Sequence, residues 1–539
     1  MDNTIYFSNF AGADFFSRMS QAMDEAKKVP GTTLVIEPGE YVLTSELAKK
    51  VQNECISGTY GTNPESRMFR SYFEYFRGID FTGHKGTKIL ADGVKLMIDG
   101  FMEPLSVRDC EDVIIEGLTI DYVRRPYSVG TVIRSTNIDD ETAHIDVELE
   151  AGSDVCAKTP VNIRNLYYNA QNNRLETLPM DGAKGEVLSN NIVRYTGRGL
   201  RKNIVGSRVY LWHAGNFRPA ILMERGADLT VRNVTVHSQP GMGITANNCE
   251  NILLDGFSVV PPEGMHVSVN TDAAHFTACR GEIKIINSIF ESQGGSAVNV
   301  HNYYHAVLIV DGNRNTVRME APSGTHTNTP DYPRMGDIME ASLFSSLETV
   351  GTRRVIDYSV RPGTYVSDIT LDIPLPIDSL ERGIQITNVS ALPKFRFENN
   401  RCLGNFGHAL IINTRDAVVV NNVFEDVMSS PVYICPNAPA AQSVAAADVT
   451  VDSNVMRRCG HSAVSQGIGG VDITLNAEMP TAIPQLRNIK IVNNTVDCPG
   501  TGVAFRINNV DGLEFSGNVN VSSIRTITME NCSNVTVQN

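Results

Sequence analysis

One spacing recurs along this chain and limits what it can fold into. An apolar residue is followed by another two positions on, by Asn, Gly or Ser at plus four, and by an apolar residue at plus seven. Val113, Ile115, Gly117 and Ile120 fit it, as do Leu229, Val231, Asn233 and Val236, and Ile252, Leu254, Gly256 and Val259. So do the sets that begin at Ile283, Phe395, Ala417, Val449 and Ile489. The first pair alternates as a strand does; the turn residue then breaks the parity, and a second short strand begins. Copies starting at 229 and 252, at 395 and 417, and at 489 and 513 are separated by one turn of a solenoid, in which each rung pairs only with its neighbours. The expected fold is all-β: a right-handed parallel β-helix.

Residues 13–28 have helical apolar spacing at Phe16, Met19, Met23 and Ala26, which predicts a helix capping the open first rung. Residues 127–210 and 302–392 break the rhythm with alternating strands and turn clusters, and predict two inserted antiparallel, barrel-like β domains. The division is then 1–126 for the first rungs and cap, 127–210 for the first insertion, 211–301 for the central rungs, 302–392 for the second insertion and 393–539 for the last rungs. The pairs Asn399–Asn400, Asn421–Asn422 and Asn493–Asn494 read as a ladder of turn residues stacked inside one corner.

A net charge of −14, spread along the chain without a basic stripe, argues against nucleic-acid and anionic-membrane partners. No stretch has the length of uncharged apolar residues that a membrane span needs, and residues 1–10 lack a leader's basic and apolar regions. As written the chain reads as cytoplasmic, or as secreted or periplasmic where a leader is removed. Ten scattered cysteines without a Cys-x-x-Cys pair read as small core residues rather than a disulfide scaffold or a zinc site. The glycines of Gly241-Met242-Gly243 mimic a dinucleotide fingerprint, but a rung follows where a helix is needed. His301 and His305, four apart on a strand, are about 13 Å from each other, too far to share a metal. Neither metal nor cofactor is expected.

Ionisable groups are densest between His266 and His305, a stretch that includes Asp272, His275, Arg280, Glu282, Glu291, Asn299, His301, Tyr303 and Tyr304. In this region residues 124–132 (RRPYSVGTV), 212–218 (WHAGNFR), 241–246 (GMGITA), 272–281 (DAAHFTACRG) and 297–301 (AVNVH) resemble the α-1,3-galactosidases of glycoside hydrolase family 110. The resemblance covers most of residues 90–305 and, more faintly, the rungs after 392. It implies a β-helix with inserted barrels, an exo-acting enzyme that inverts the anomeric centre with aspartates, and a glycan partner. Asp272 matches one family carboxylate. The family's Asp-Asp pair before the last motif is Gly295 and Ser296 here, and neither can move a proton as a carboxylate does.

Three readings stay open. A carboxylate from elsewhere replaces the missing one: Glu291 in the same rung, or Asp331, Asp337 or Glu340 in the second insertion. Alternatively the chain keeps a sugar pocket without catalysis, as a non-catalytic glycan binder. Or its chemistry has changed, with His275, His301 or a tyrosine as acid or base. A lyase or epimerase acting on uronic acids would need cations such as Arg218 and Arg280. The catalytic candidates are therefore Asp272 and Glu291, and the substrate-binding candidates are His275, Asn299, His301, Trp212, Arg218 and Tyr303. Each has an ordinary alternative: a turn cap for Asp272, a satisfied structural histidine for His275 and His301, and packing for the aromatics.

Overall fold

In a computed structural model the described residues are 3–60, 73–154, 165–178, 180, 183–200, 204–320, 333–360, 366–376, 383–461, 468–479 and 483–538. Nearly all are strand or turn, and the strands of the long sheets pair in parallel.

The repeated template is a register. Its first apolar positions stack in one column, Val113 on Leu229, Ile252, Ile283, Phe395, Ala417, Val449, Ile489, Leu513 and Val535. The plus-seven positions stack in a second column that runs from Ile120 through Val236, Val259, Phe290, Cys402, Phe424 and Met456 to Val496. Each rung thus has a first face, a short second face and a third face in a separate parallel sheet, with crossovers of the right-handed sense usual for parallel strands. Side chains of alternate parity from all three faces fill one continuous core.

The corners turn on left-handed residues. Between the first and second faces, Asn233, Asn287, Asn399, Asn421, Ser453 and Asn493 have φ of 50° to 59°, with Gly117, Gly256 and Gly517 at the same rung position. Asparagine and glycine enter this region at little cost, so the template demands them at plus four. The next residue does a different job. Asn400, Asn422, Asn454 and Asn494 are buried, and each side-chain oxygen accepts the backbone N–H of the residue one rung earlier, at 2.8–3.0 Å. The asparagine pairs therefore divide their labour: Asn399, Asn421 and Asn493 bend the chain from outside, and only the second member of each pair builds the internal ladder. Of the cysteines, Cys55, Cys110, Cys249, Cys279, Cys402, Cys435, Cys459 and Cys498 are buried free thiols.

At the N-terminal end, helix Phe15–Lys28 is capped by Asp14, whose side chain accepts from the Ser17 N–H, and it buries Phe15, Met19, Ala22, Met23 and Ala26. A second helix, Glu46–Ser57, was not legible from spacing; it packs on the same end, where Ala48 O accepts the Phe101 N–H. No helix among the described residues is long and apolar enough to cross a membrane.

Two antiparallel units interrupt the coil. The first is a seven-stranded sheet made of strands between Tyr127 and Trp212, and the second is a closed six-stranded barrel made of strands between His305 and Asn388. They grip opposite edges of the third face. The first reaches forward along the coil, packing Tyr127, Val129, Tyr210 and Trp212 against Val267 and Met428. The barrel holds the other edge through Arg280–Asp337, Arg415–Glu340 and the Asn302 amide, which donates to Asn388 O and Ala391 O.

If the ladder sustains the corner, Asn454→Ala should cost about 2 to 3 kcal/mol, because the Asn422 N–H and the carbonyl groups of Val419 and Asp452 lose their buried partner. Asn421→Gly should be nearly neutral, since glycine takes left-handed φ freely. Urea unfolding, with amide exchange followed at residue 422, distinguishes the two; equal losses would mean that both asparagines serve only as bends.

Candidate active site

The outward parity of the third face carries polar residues where the inward parity carries core. His275 pairs with Thr245 on one side and with Asn299 on the other, and Thr277 pairs with His301. These side chains are buried, between the attachment points of the two inserted units. Asp272 lies at the corner that leads into this face, and its carboxylate keeps 14% exposure.

Asp272, His275 and His301 form one hydrogen-bonded chain. Asp272 Oδ2 is 2.8 Å from His275 Nδ1, His275 Nε2 is 3.0 Å from His301 Nε2, and His301 Nδ1 is 2.8 Å from the carbonyl of Asn302. A carbonyl only accepts, so His301 Nδ1 carries a proton. Burial, helped by the neighbouring His275, pulls the His301 ring down to about 3, so it is neutral and its Nε2 is a bare acceptor. His275 Nε2 must then donate. On its other side His275 Nδ1 meets Asp272 Oδ2, so the ring bridges the carboxylate and His301.

Gly295 and Ser296 shape this arrangement. Asp272 Oδ1 accepts the Ser296 N–H at 2.7 Å. A methyl group added at Gly295 would lie 2.3 Å from Asp272 Oδ1 and 2.8 Å from its backbone nitrogen. Any side chain at 295 would displace Asp272, so the glycine is what lets the carboxylate settle against the next rung. Sequence reading missed the Ser296 amide as a donor. The signal was available: setting Ala273-Ala274-His275 against Ala297-Val298-Asn299 puts Asp272 opposite Ser296.

The other sequence candidates are placed as follows. Asn299 is buried beside His275, with no hydrogen-bond partner for its Oδ1 among the described residues. Tyr303 packs its ring edge-to-face on His301 at 5.2 Å. Arg218 is buried with its guanidinium 4.1 Å from the Tyr75 ring centre. Trp212 is fully buried against Tyr127, so of its two possible roles it takes packing. Glu291 sits half-buried on the second face, across the corner residues 292–295 from the histidine chain; burial raises its carboxyl and Arg401 works against that.

Two of the carboxylates considered as replacements are held in ion pairs. Asp337 accepts both arms of Arg280 at 2.6 and 3.0 Å, the Arg334 N–H and the Asn388 amide. Burial alone would raise its carboxyl, but these donors prevail and hold it low. Glu340 is bound by Arg415 at 2.9 Å. Both fasten the barrel to the coil, and Arg280 is thereby committed to Asp337 rather than to a sugar carboxylate. Asp331 lies outside the described residues.

A buried charged cluster on the same face was also missed. Glu103 is inaccessible to solvent and receives Arg108 Nη2 at 2.9 Å, and Arg108 Nε also faces Glu224 at 3.1 Å. Burial pushes the Glu103 carboxyl up against the pull of Arg108 and Arg218. The register sets Ser106, Leu222, Thr245 and His275 in one column, so Glu103 and Arg108 stand three rungs, about 14 Å, and Glu224 two rungs, about 10 Å, from His275.

The fold and this constellation define a parallel β-helix with two inserted β units and a buried Asp-His-His chain on its third face. No protein-family profile matches the chain. It is similar to alpha-1,3-galactosidase B of Parabacteroides distasonis, 24% identical over 421 residues; the match covers 70% of this chain and 66% of that protein. It is 22% identical to alpha-1,3-galactosidase B of Bacteroides thetaiotaomicron, over 97% of this chain and 87% of that protein. Alpha-1,3-galactosidase A of Shewanella woodyi is 21% identical over 90% of this chain and 79% of its own length. Among solved structures, the A-module of the mannuronan C-5 epimerase AlgE4 from Azotobacter vinelandii aligns with a TM-score of 0.43 at 10% identity, covering 99% of this chain and all of that one. A polygalacturonase from Erwinia carotovora aligns at 0.41 and 9%, covering 100% and 96%.

Removing one partner of a desolvated ion pair strands the other, so Arg280→Ala should cost about 3 to 5 kcal/mol, felt first as loosening of the barrel. Asp337 is held below its usual 3.8 in the folded chain, so its contribution is full above that value and lost as pH falls through the lower folded one. Limited proteolysis of the barrel should therefore accelerate on acidification below pH 3.8 in the wild type. In Arg280→Ala the barrel should be cut readily without acid; unchanged resistance would contradict the anchoring role.

Proposed function

We propose that the chain is an exo-acting glycoside hydrolase that removes a terminal α-linked, galactose-like sugar, with Asp272 in its acid–base pair. The observation that carries this reading is the Asp272–His275–His301 chain. It ends in a partly exposed carboxyl group hydrogen-bonded to a buried imidazole, on a face flanked by two inserted units. The similarity to proteins named alpha-1,3-galactosidases points to α-1,3 linkages as the class to test first.

Hydrolysis with inversion needs one group that protonates the leaving oxygen and another that takes a proton from water, about 6.5 to 9.5 Å apart. Asp272 is suited to protonating the leaving oxygen, because its carboxyl is partly exposed while His275 and the Ser296 N–H fix its orientation. His301 holds His275 in the donating tautomer, and Asn302 O in turn holds His301. Asn299, beside His275, offers an acceptor for a sugar hydroxyl. Glu291 is the candidate for activating water, because burial raises its carboxyl and so favours taking up a proton. Gly295 and Ser296 favour a second reading, a glycan-binding relative without turnover.

A panel of chromogenic α- and β-glycosides, run on wild type and Asp272→Asn, tests the proposal. Wild type should cleave an α-galactoside and release the β-anomer, and the mutant should lose roughly 10² to 10⁴ in rate. Gly295→Ala should also lose most of its activity, by displacing Asp272. Sugar binding without turnover in either protein would favour the binding reading, and an unsaturated uronide product would exclude both.

A further inference from the structure

Outward residues of the third face continue past the histidine chain toward the last rungs in one column: His275, Asn299, Ile411, Tyr433, Asp472, Arg506 and Thr528. From the placing of three of these side chains we propose that this face holds an extended binding groove for a neutral oligosaccharide, with Tyr433 and Arg506 as its floor and buried Asp472 holding Arg506 in place. This rests on the reading that the terminal sugar sits at Asp272, and it adds where the rest of the glycan runs.

Rungs recur about every 4.8 Å, close to the length of one pyranose unit, so Tyr433 lies about 14 Å and Arg506 about 24 Å along the coil from His275. Tyr433 is half-buried and stacks on His408 with ring centres 3.8 Å apart and planes 6° apart. Burial takes the His408 ring down to about 4, so the pair is an uncharged, flat platform of the kind on which a sugar's apolar face packs. The next two rungs carry a bidentate pair in which Arg506 Nε and Nη2 donate to Asp472 at 2.8 and 2.6 Å. That grip fixes the guanidinium plane and leaves Nη1 to other acceptors. Beyond it opens a cavity of about 320 Å³ lined by Thr474, Arg506, Asn508, Thr528 and Glu530.

The chemistry of this floor is hydroxyl recognition. Arg506 is balanced by Asp472, and Glu530 stands beside Asn508, so among the described residues of this floor there is no excess of cations to meet a uronate. A face built this way distinguishes a tetrasaccharide from a small aryl glycoside, which reaches only Asp272.

The test compares a galactose-terminated neutral tetrasaccharide with an aryl α-galactoside on wild type, Tyr433→Ala, Tyr433→Phe and Asn508→Ala. Tyr433→Ala should raise KM for the tetrasaccharide about tenfold with kcat unchanged and leave the aryl glycoside unaffected, while Tyr433→Phe keeps the platform and behaves as wild type. Asn508→Ala touches only an exposed hydrogen bond and keeps the test open if Tyr433→Ala fails to fold; with a hexasaccharide of the same kind, long enough to reach about 24 Å from His275, it should raise KM and leave the aryl glycoside unaffected. Equal changes on both substrates, or none on the tetrasaccharide, overturn the groove. If wild type turns over no glycoside, the hydrolase reading fails separately. Calorimetry then decides the groove: tighter binding of the tetrasaccharide than of galactose, lost in Tyr433→Ala, supports it, and equal affinities overturn it.

Discussion

Parallel pairing in register is the constraint from which the other features follow. Each rung hydrogen-bonds to the next with the same residues opposite one another, so a position in the template becomes a column through the molecule. A column of apolar residues is core, a column of left-handed asparagine and glycine is a corner, and a column of outward polar residues is a surface that can hold a ligand. Asp272 meets Ser296, and His275 meets Asn299, because the pairing of Ala274 with Val298 admits no other arrangement. The same rule forces Gly295 against Asp272, where a side chain would clash.

The inserted units follow a different logic. They are antiparallel sheets with cores of their own; the barrel is fastened to the coil by buried ion pairs and the Asn302 amide, and the seven-stranded sheet by apolar packing. Such pairs add little net stability over apolar packing but penalise loss of either partner, so they set geometry more than they add binding energy. Here they fix the barrel as one wall beside the third face. Residues that look like spare acids and bases in the sequence, Asp337, Glu340 and Arg280, are the fastenings.

Much of this was legible beforehand for a physical reason: a repeated local spacing specifies a repeated local conformation. The first-face and second-face columns, the helix ending at Lys28 and the two interruptions could all be read from the chain. What stayed hidden depends on contacts without a period. The spacing marks Asn399 as the bend but does not show that Asn400 is buried and bonded to the neighbouring rungs. Helix Glu46–Ser57 occurs once. The Glu103–Arg108–Glu224 cluster joins residues more than a hundred positions apart, and the pairing of Arg280 with Asp337 crosses from the coil to an inserted unit. The similarity to α-1,3-galactosidases pointed to Asp272, but only side-chain geometry linked it to His275 and His301.

The central claim is the wiring of that chain: a neutral His301 that donates from Nδ1 to Asn302 O and accepts at Nε2 from His275. Ring-nitrogen ¹⁵N chemical shifts of histidine-labelled protein at neutral pH, assigned with His301→Gln and His275→Gln, read it directly. The account predicts a protonated Nδ1 and a bare Nε2 at His301, with a protonated Nε2 at His275. A His301 ring protonated at Nε2 would contradict it.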